Sequence, residues 1–252
     1  MSKFGVIGGT GLNHLEELSV EREHALETPF GSPSHPVLEG TYAGGRCLFL
    51  ARHGVPHRIA PHRINYRANL WALRELGADT ILGVNAVGGI HEAMPTGSLV
   101  IPDQLVDYTW GREHSFCDGE AGDLGHIDFT SPYCAVLRQR LLRAAAESGV
   151  PVVDFGTYGV TQGPRLETAA EVQKLARDGC DLVGMTGMPE AALAAELELP
   201  YASLCLVVNP AAGLSDAPIT LESMQAVLEE GTRSVGALLT ALLGDRPDRP
   251  GG

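Results

Sequence analysis

Short apolar runs recur along the chain at residues 4–7, 47–51, 80–84, 99–101, 152–160, 182–184 and 202–208. Each is brief, rich in β-branched, leucine or aromatic residues, and bounded by turn residues, so each predicts a buried strand. Between several of them the spacing turns helical. Residues 64–76 place Tyr66, Leu70 and Leu73 on one face and stop before Gly77, a helix-ending signal. Residues 132–147 are rich in Leu, Arg and Ala, and 167–177 space Ala169, Val172, Leu175 and Ala176 helically. Residues 187–197 carry Pro189 in the first turn, where a missing N–H costs little. Residues 220–243 form the longest stripe, with Leu221, Met224, Leu228, Val235, Leu238 and Leu242. Strands alternating with helices predict an α/β fold: a single domain over residues 1–243 with a twisted mixed central β-sheet flanked by helices. Residues 244–252 read as a disordered tail. Residues 109–131 break the rhythm, with Gly119, Gly122, Gly125, His114 and His126 among acids. A loop of that length is functional, mobile or held at a subunit contact.

Composition narrows the classes. With 252 residues, 44% of them hydrophobic, the chain can bury a full α/β core. A formal charge of −13 argues against a nucleic-acid or anionic-membrane surface. It leaves room for a small anion held by a local cluster of Arg, His and backbone N–H groups. The five cysteines, Cys47, Cys117, Cys134, Cys180 and Cys205, form no C-x-x-C pair, which fits a reducing compartment. No signal-peptide pattern opens the sequence and no apolar run reaches membrane-spanning length, so a cytoplasmic protein is expected.

Candidate chemistry sits where predicted strands end. After the first strand, Gly8-Gly9-Thr10-Gly11 allows close backbone approach and adds a hydroxyl, so the turn could hold an oxyanion or be a plain strand-to-helix turn. Its glycines are out of register for the spaced dinucleotide fingerprint. Arg52-His53-Gly54 offers a fork of donors suited to phosphate. His57 and His62 follow without the acidic partner or regular spacing of a metal site, and no metal is expected. Asn85-Ala86-Val87-Gly88-Gly89 can present backbone N–H groups to an anion, or be a glycine-rich turn with a structural Asn. In Gly184-Met185-Thr186-Gly187-Met188-Pro189-Glu190, Met185 is an apolar wall or core, Thr186 a hydroxyl donor, and Glu190 a site acid or a helix cap. Asn209, at the end of the last strand, can donate and accept at once, which suits a heterocycle edge.

The loop Thr161-Gln162-Gly163-Pro164-Arg165-Leu166-Glu167-Thr168 joins a strand end to a helix start, where open α/β sheets bind ligands. Its acid, Glu167, is expected in the helix's first turn, either complementing the helix dipole or touching a substrate. Taken together, these strand ends suggest a phosphate-plus-heterocycle pocket.

In order and spacing, Gly8-Gly9-Thr10-Gly11, Arg52-His53-Gly54, Asn85-Ala86-Val87-Gly88-Gly89, Gly163-Pro164-Arg165 and Gly184-Met185-Thr186 resemble the trimeric purine nucleoside phosphorylase and methylthioadenosine phosphorylase family. The resemblance runs from Phe4 to about Leu243. It implies phosphate held by Thr10, Arg52, His53, the Ala86 backbone and Thr186, with Met185 against the ribose. It places His126 in a segment that reaches a neighbouring subunit's pocket, and it implies a homotrimer. No cofactor is implied beyond inorganic phosphate as cosubstrate. Thr28-Pro29-Phe30-Gly31 and Asn65-Tyr66-Arg67-Ala68-Asn69 resemble the methylthioadenosine branch.

Departures from that branch carry the substrate expectation. It has two aspartates where this chain has Asn209 and Ala211, and a small hydroxyl residue where this chain has Glu167. Glu167 matches the acid of 6-oxopurine enzymes and would accept a hydrogen bond from N1–H; Asn209 would donate to O6 or N7. At the other end Leu221, with Met224 one turn on, takes the place of a histidine that serves a 5′-hydroxyl in general purine enzymes, and an apolar pair suits a methylthio group. The alternative for both is membership of the helix's core stripe. The expected reaction is phosphorolysis of 5′-methylthioinosine to hypoxanthine and 5-methylthioribose 1-phosphate, with His53, Glu167 and Asn209 as catalytic candidates. The rivals are a broader 6-oxopurine nucleoside phosphorylase, a methylthioadenosine phosphorylase, and a nucleotide-binding oxidoreductase using the Gly8–Gly11 turn.

Overall fold

The computed structural model describes residues 3–12, 15–117, 125–216 and 220–244. The apolar runs become strands of one mixed sheet. In chain order these are β1 (Lys3–Gly8), β2 (Ser19–His24), β3 (Val37–Tyr42), β4 (Gly45–Ala51), β5 (Thr80–Gly89), β6 (Leu99–Val100), β7 (Gln104–Asp107), β8 (Val152–Val153), β9 (Thr157–Val160), β10 (Leu182–Gly184) and β11 (Tyr201–Pro210). The helices are α1 (Tyr66–Glu75), α2 (Ala135–Ser148), α3 (Ala169–Arg177), α4 (Gly187–Glu196) and α5 (Leu221–Gly244).

The sheet runs β2-β3-β4-β1-β5-β10-β9-β7, with β11 also on β5, β6 on β11 and β8 on β6. β5 is the branch point. Its first half pairs parallel with β1, its length pairs parallel with β11, and Gly88 and Gly89 pair antiparallel with β10. Successive residues of the central strands feed two cores, as the period of two requires. Ile7, Leu48, Leu50 and Ile81 join α1 and α4 in one cluster, whereas Val6, Phe49, Leu82 and Leu204 join α2 and α5 in the other. Both faces being covered, these strands read as unbroken apolar runs.

Four expectations are corrected. Residues 152–160 are not one strand: Gly156, at φ +144°, turns the chain between β8, which joins β6, and β9, which joins β10. Pro189 does not sit in a continuous first turn, because Met188 is extended (φ −121°, ψ 141°) and regular helix resumes after it. Gly244 closes α5 instead of opening a tail, while residues 245–252 lie outside the described residues. The helix start expected at Glu167 falls two residues later. Thr168 is the N-cap of α3, and its side chain and that of Glu171 cap each other's backbone N–H. The first-turn acid is therefore Glu171, and the dipole-complementing reading of Glu167 falls away. β2, β3 and β7 carry too little apolar signal to stand out; β2, an edge strand, is exposed along most of its length.

Candidate active site

One cavity of about 580 Å³ opens along the strand ends, within the size range of small-molecule sites. β1 brings Thr10 to it, β4 brings Arg52 and His53, and β5 brings Ala86. Met185 and Thr186 follow β10, Asn209 and Ala211 come from β11, and Met224 comes from α5. The 161–168 loop adds Glu167. Of the other expected residues, His126, assigned to a neighbouring subunit's pocket, is exposed, and the side chain of Leu221 lies outside the described residues.

The donors expected to hold phosphate are more committed than the sequence suggests. Arg52 is completely buried. Its Nε and Nη2 donate to the two Glu190 oxygens at 2.7 Å each, Nη1 to the Val84 carbonyl at 2.8 Å and Nη2 also to the Ile7 carbonyl at 3.4 Å. Burial works against its charge, but the Glu190 carboxylate outweighs it and the guanidinium stays protonated above its ordinary range. Of its five N–H groups, one on Nη1 remains. Gly9 makes room for it: a Cβ there would stand 2.8 Å from Nη1 and 2.6 Å from the Val84 carbonyl. So Arg52 faces the cavity as half of a buried ion pair, not as an open fork.

His53 is neutral at pH 7. Burial, opposed by the Ile59 carbonyl and reinforced by the Arg52 charge, holds its pKa down at about 4. Nδ1–H donates to that carbonyl at 2.7 Å, so Nε2 is the ring's acceptor. His57 stacks on His53 with ring centroids 4.2 Å apart and also lines the cavity. The Thr186 hydroxyl donates to Asn85 Oδ1 at 2.8 Å, and Asn85 Nδ2 donates to Ser203 Oγ at 2.6 Å.

Among the residues expected to meet the heterocycle, Glu167 is half-buried and accepts a hydrogen bond from Thr161 Oγ1 at 2.6 Å through Oε1. The nearby cation, Arg165, bonds both Glu171 oxygens at 2.8 and 2.7 Å instead. Oε2 of Glu167 is thus available to a ligand. A register shift in β11 between Val207 and Asn209 lets both Val208 and Asn209 line the cavity, where strict alternation would admit one. Asn209 Nδ2 donates to the Pro210 carbonyl at 2.6 Å, while Ala211 is buried and presents a methyl.

Three supporting residues have partners that the sequence reading did not assign: it offered Glu190 as a site acid or helix cap and Asn85 as a structural Asn, and passed over Arg112. Glu190, at 0% exposure, holds Arg52 and accepts from the Tyr201 hydroxyl at 2.8 Å. Asn85 orients Thr186. Arg112, buried in the long 109–131 loop, donates to the carbonyls of Met185, Met188, Thr161 and Gln162 at 2.6–3.2 Å. It ties the loop bearing Glu167 to the segment bearing Met185. Gly163 tightens the same junction, since a Cβ would lie 2.5 Å from the Met185 sulfur. The only sequence signal for Arg112 was the length of the loop around it.

The Phosphorylase superfamily model matches residues 3–244. A probable S-methyl-5′-thioinosine phosphorylase of Pseudomonas syringae pv. tomato is 55% identical over 96% of this chain and 99% of its own length. The 6-oxopurine nucleoside phosphorylase of Pyrococcus furiosus is 40% identical over 96% of this chain and 92% of its own. Among solved structures, methylthioadenosine phosphorylase from Schistosoma mansoni in complex with adenine superimposes with a TM-score of 0.92 at 31% identity, covering 96% of this chain and 91% of that one. A cavity built at the strand ends of a mixed sheet and a match spanning every described element agree: the chain belongs to the phosphorylase superfamily.

Proposed function

We propose that this enzyme, a purine nucleoside phosphorylase by its relatives, cleaves S-methyl-5′-thioinosine with phosphate to give hypoxanthine and 5-methylthioribose 1-phosphate. The observation carrying this reading is that a Glu167 oxygen free of Thr161, the Asn209 amide and the Ala211 methyl line one cavity. A carboxylate there accepts from the N1–H of hypoxanthine; adenine would set a bare lone pair against it. A phosphate oxygen, held near Thr10, the Ala86 backbone, Thr186 and His53, bonds to C1′ as the C1′–N9 bond breaks. The bonding pair leaves with the base, through an oxocarbenium-like state with no covalent enzyme intermediate. Asn209 donates to the base as negative charge gathers on O6 or N7, and the base then takes up a proton. Met185 packs against the ribose, and Met224 serves the methylthio end. The assembly that accompanies this reading is a homotrimer, in which the exposed His126 serves a neighbouring pocket.

A broader 6-oxopurine nucleoside phosphorylase is the second reading, favoured by Thr220, a hydroxyl residue that lines the cavity and accepts the Met224 N–H at its carbonyl at 3.2 Å. Family membership leaves no ground for the oxidoreductase alternative. The test is base release from methylthioinosine, inosine and methylthioadenosine, each with and without phosphate. Phosphate-dependent release of hypoxanthine, fastest from methylthioinosine, is expected. Comparable rates on inosine select the second reading, and preference for methylthioadenosine overturns the Glu167 and Asn209 assignments.

A further inference from the structure

Two guanidinium groups line the cavity, Arg52 and Arg58. Arg52 is neutralised by Glu190, His53 is uncharged at pH 7, and the Thr186 proton lies on Asn85. Glu167 adds negative charge to the same cavity, in a chain whose formal charge is −13. An arriving phosphate therefore meets one uncompensated lining cation, Arg58. It is exposed and makes no hydrogen bond or ion pair with its side chain among the described residues. Its backbone, by contrast, is fixed. The Arg58 and Ile59 N–H groups both donate to the His53 carbonyl, at 3.1 and 3.0 Å, and His53 Nδ1–H returns to the Ile59 carbonyl at 2.7 Å. Those three bonds close residues 53–59 into a turn that carries Arg58 alongside His53.

We propose that Arg58 is a phosphate-binding residue of this enzyme. Its guanidinium closes onto the phosphate held at Thr10, Ala86 and Thr186 and supplies the positive charge that the Arg52–Glu190 pair does not. The proposal rests on the phosphorolysis reading for its ligand. Guanidinium matches phosphate geometry through paired N–H donors, and because Arg58 is solvent-exposed its contribution is moderate and screened by salt.

The test measures inorganic phosphate binding calorimetrically to the full chain and to the Arg58→Ala and Arg58→Lys variants, alongside phosphate saturation of methylthioinosine cleavage. Arg58→Ala is expected to weaken phosphate binding about tenfold and to raise phosphate KM in step, with much smaller changes in kcat and nucleoside KM. Arg58→Lys should recover part of the loss, and phosphate KM should depend less on ionic strength in Arg58→Ala than in the parent. Equal phosphate affinity in Arg58→Ala and parent overturns the proposal, as does a fall in kcat at unchanged phosphate KM. A parent chain that binds no phosphate overturns this proposal and the phosphorolysis reading together. Phosphate binding that weakens in Arg58→Ala, in a chain that cleaves none of the nucleosides, upholds the Arg58 site and overturns the phosphorolysis reading alone.

Discussion

A carboxylate facing the N1 edge of a purine gains a hydrogen bond from a 6-oxopurine and meets a lone pair on a 6-aminopurine. In the function proposed above Glu167 makes that choice: the 2.6 Å bond from Thr161 fixes Oε1 and leaves Oε2. In Glu167→Gln the amide can rotate to donate or accept, so discrimination should drop. The expected outcome is a fall of roughly ten- to a hundredfold in the ratio of kcat/KM for methylthioinosine over methylthioadenosine, with phosphate KM little changed. An unchanged ratio would remove Glu167 from base recognition. At this scale the sequence placed residues at strand ends well, because Gly, Asn and Thr punctuation marks those ends. What it could not place was partnership. Arg52 read as a phosphate fork because nothing in the spacing revealed Glu190, 138 positions away, as the acid that occupies it. A long-range ion pair leaves no local pattern.

The element boundaries around the 161–168 loop show the same limit from another side. The apolar period of α3 was legible, but its start was displaced from Glu167 to the Thr168 cap because Glu167 and Glu171 are both plausible first-turn acids in one dimension. Only the capping geometry separates them. The split of residues 152–160 was hidden because β8 and β9 are both apolar, though they pair with different strands. Arg112 joins elements that the sequence keeps apart: the loop after β9, the segment after β10 and, through a 3.3 Å bond to the Tyr66 hydroxyl, the start of α1. Replacing it with Met strips hydrogen bonds from one buried and three part-buried carbonyls at once. Arg112→Met should therefore lower unfolding free energy by about 2–4 kcal/mol. Because the loop bearing Glu167 is released with it, nucleoside KM should rise more than phosphate KM, and Arg112→Lys should restore part of both. Urea unfolding with initial rates checks this; a stability loss with both KM values unchanged would reduce Arg112 to a packing role.

For the whole molecule, the response to acid is set at the far edge of the sheet as well as at the site. Glu39, on β3, accepts from Lys3 of β1 at 2.9 Å, His24 of β2 at 2.7 Å and Arg46 of β4 at 2.8 Å, so one carboxylate ties the first four strands together. The Lys3 bond, against the opposing effect of burial and with help from His24 and Arg46, brings its pKa from 4.5 down to about 2. Between those two pH values the unfolded chain binds the proton and the folded one does not, so stability contributed by Glu39 is complete above about pH 4.5 and is lost as pH falls toward 2. His53 acts earlier in the same direction. Its folded pKa of about 4 lies below the ordinary 6.5, so unfolded chains take up that proton first and stability begins to fall below about pH 6.5. Acid should thus weaken the fold in two overlapping windows, one belonging to the Glu39 cluster and one to His53 just beyond the end of β4. Glu39→Gln should be less stable than the parent at neutral pH and should lose Glu39's share of the lower window alone. Its unfolding free energy should fall less steeply than the parent's between pH 4.5 and 2, where Glu171 is also held down from 4.5 to about 2, and approach the parent's at the acid end, while the decline between 6.5 and 4 persists. Chemical unfolding midpoints across that range decide it: parallel curves for parent and variant down to pH 2 would mean that the Glu39 cluster does not link folding to protons.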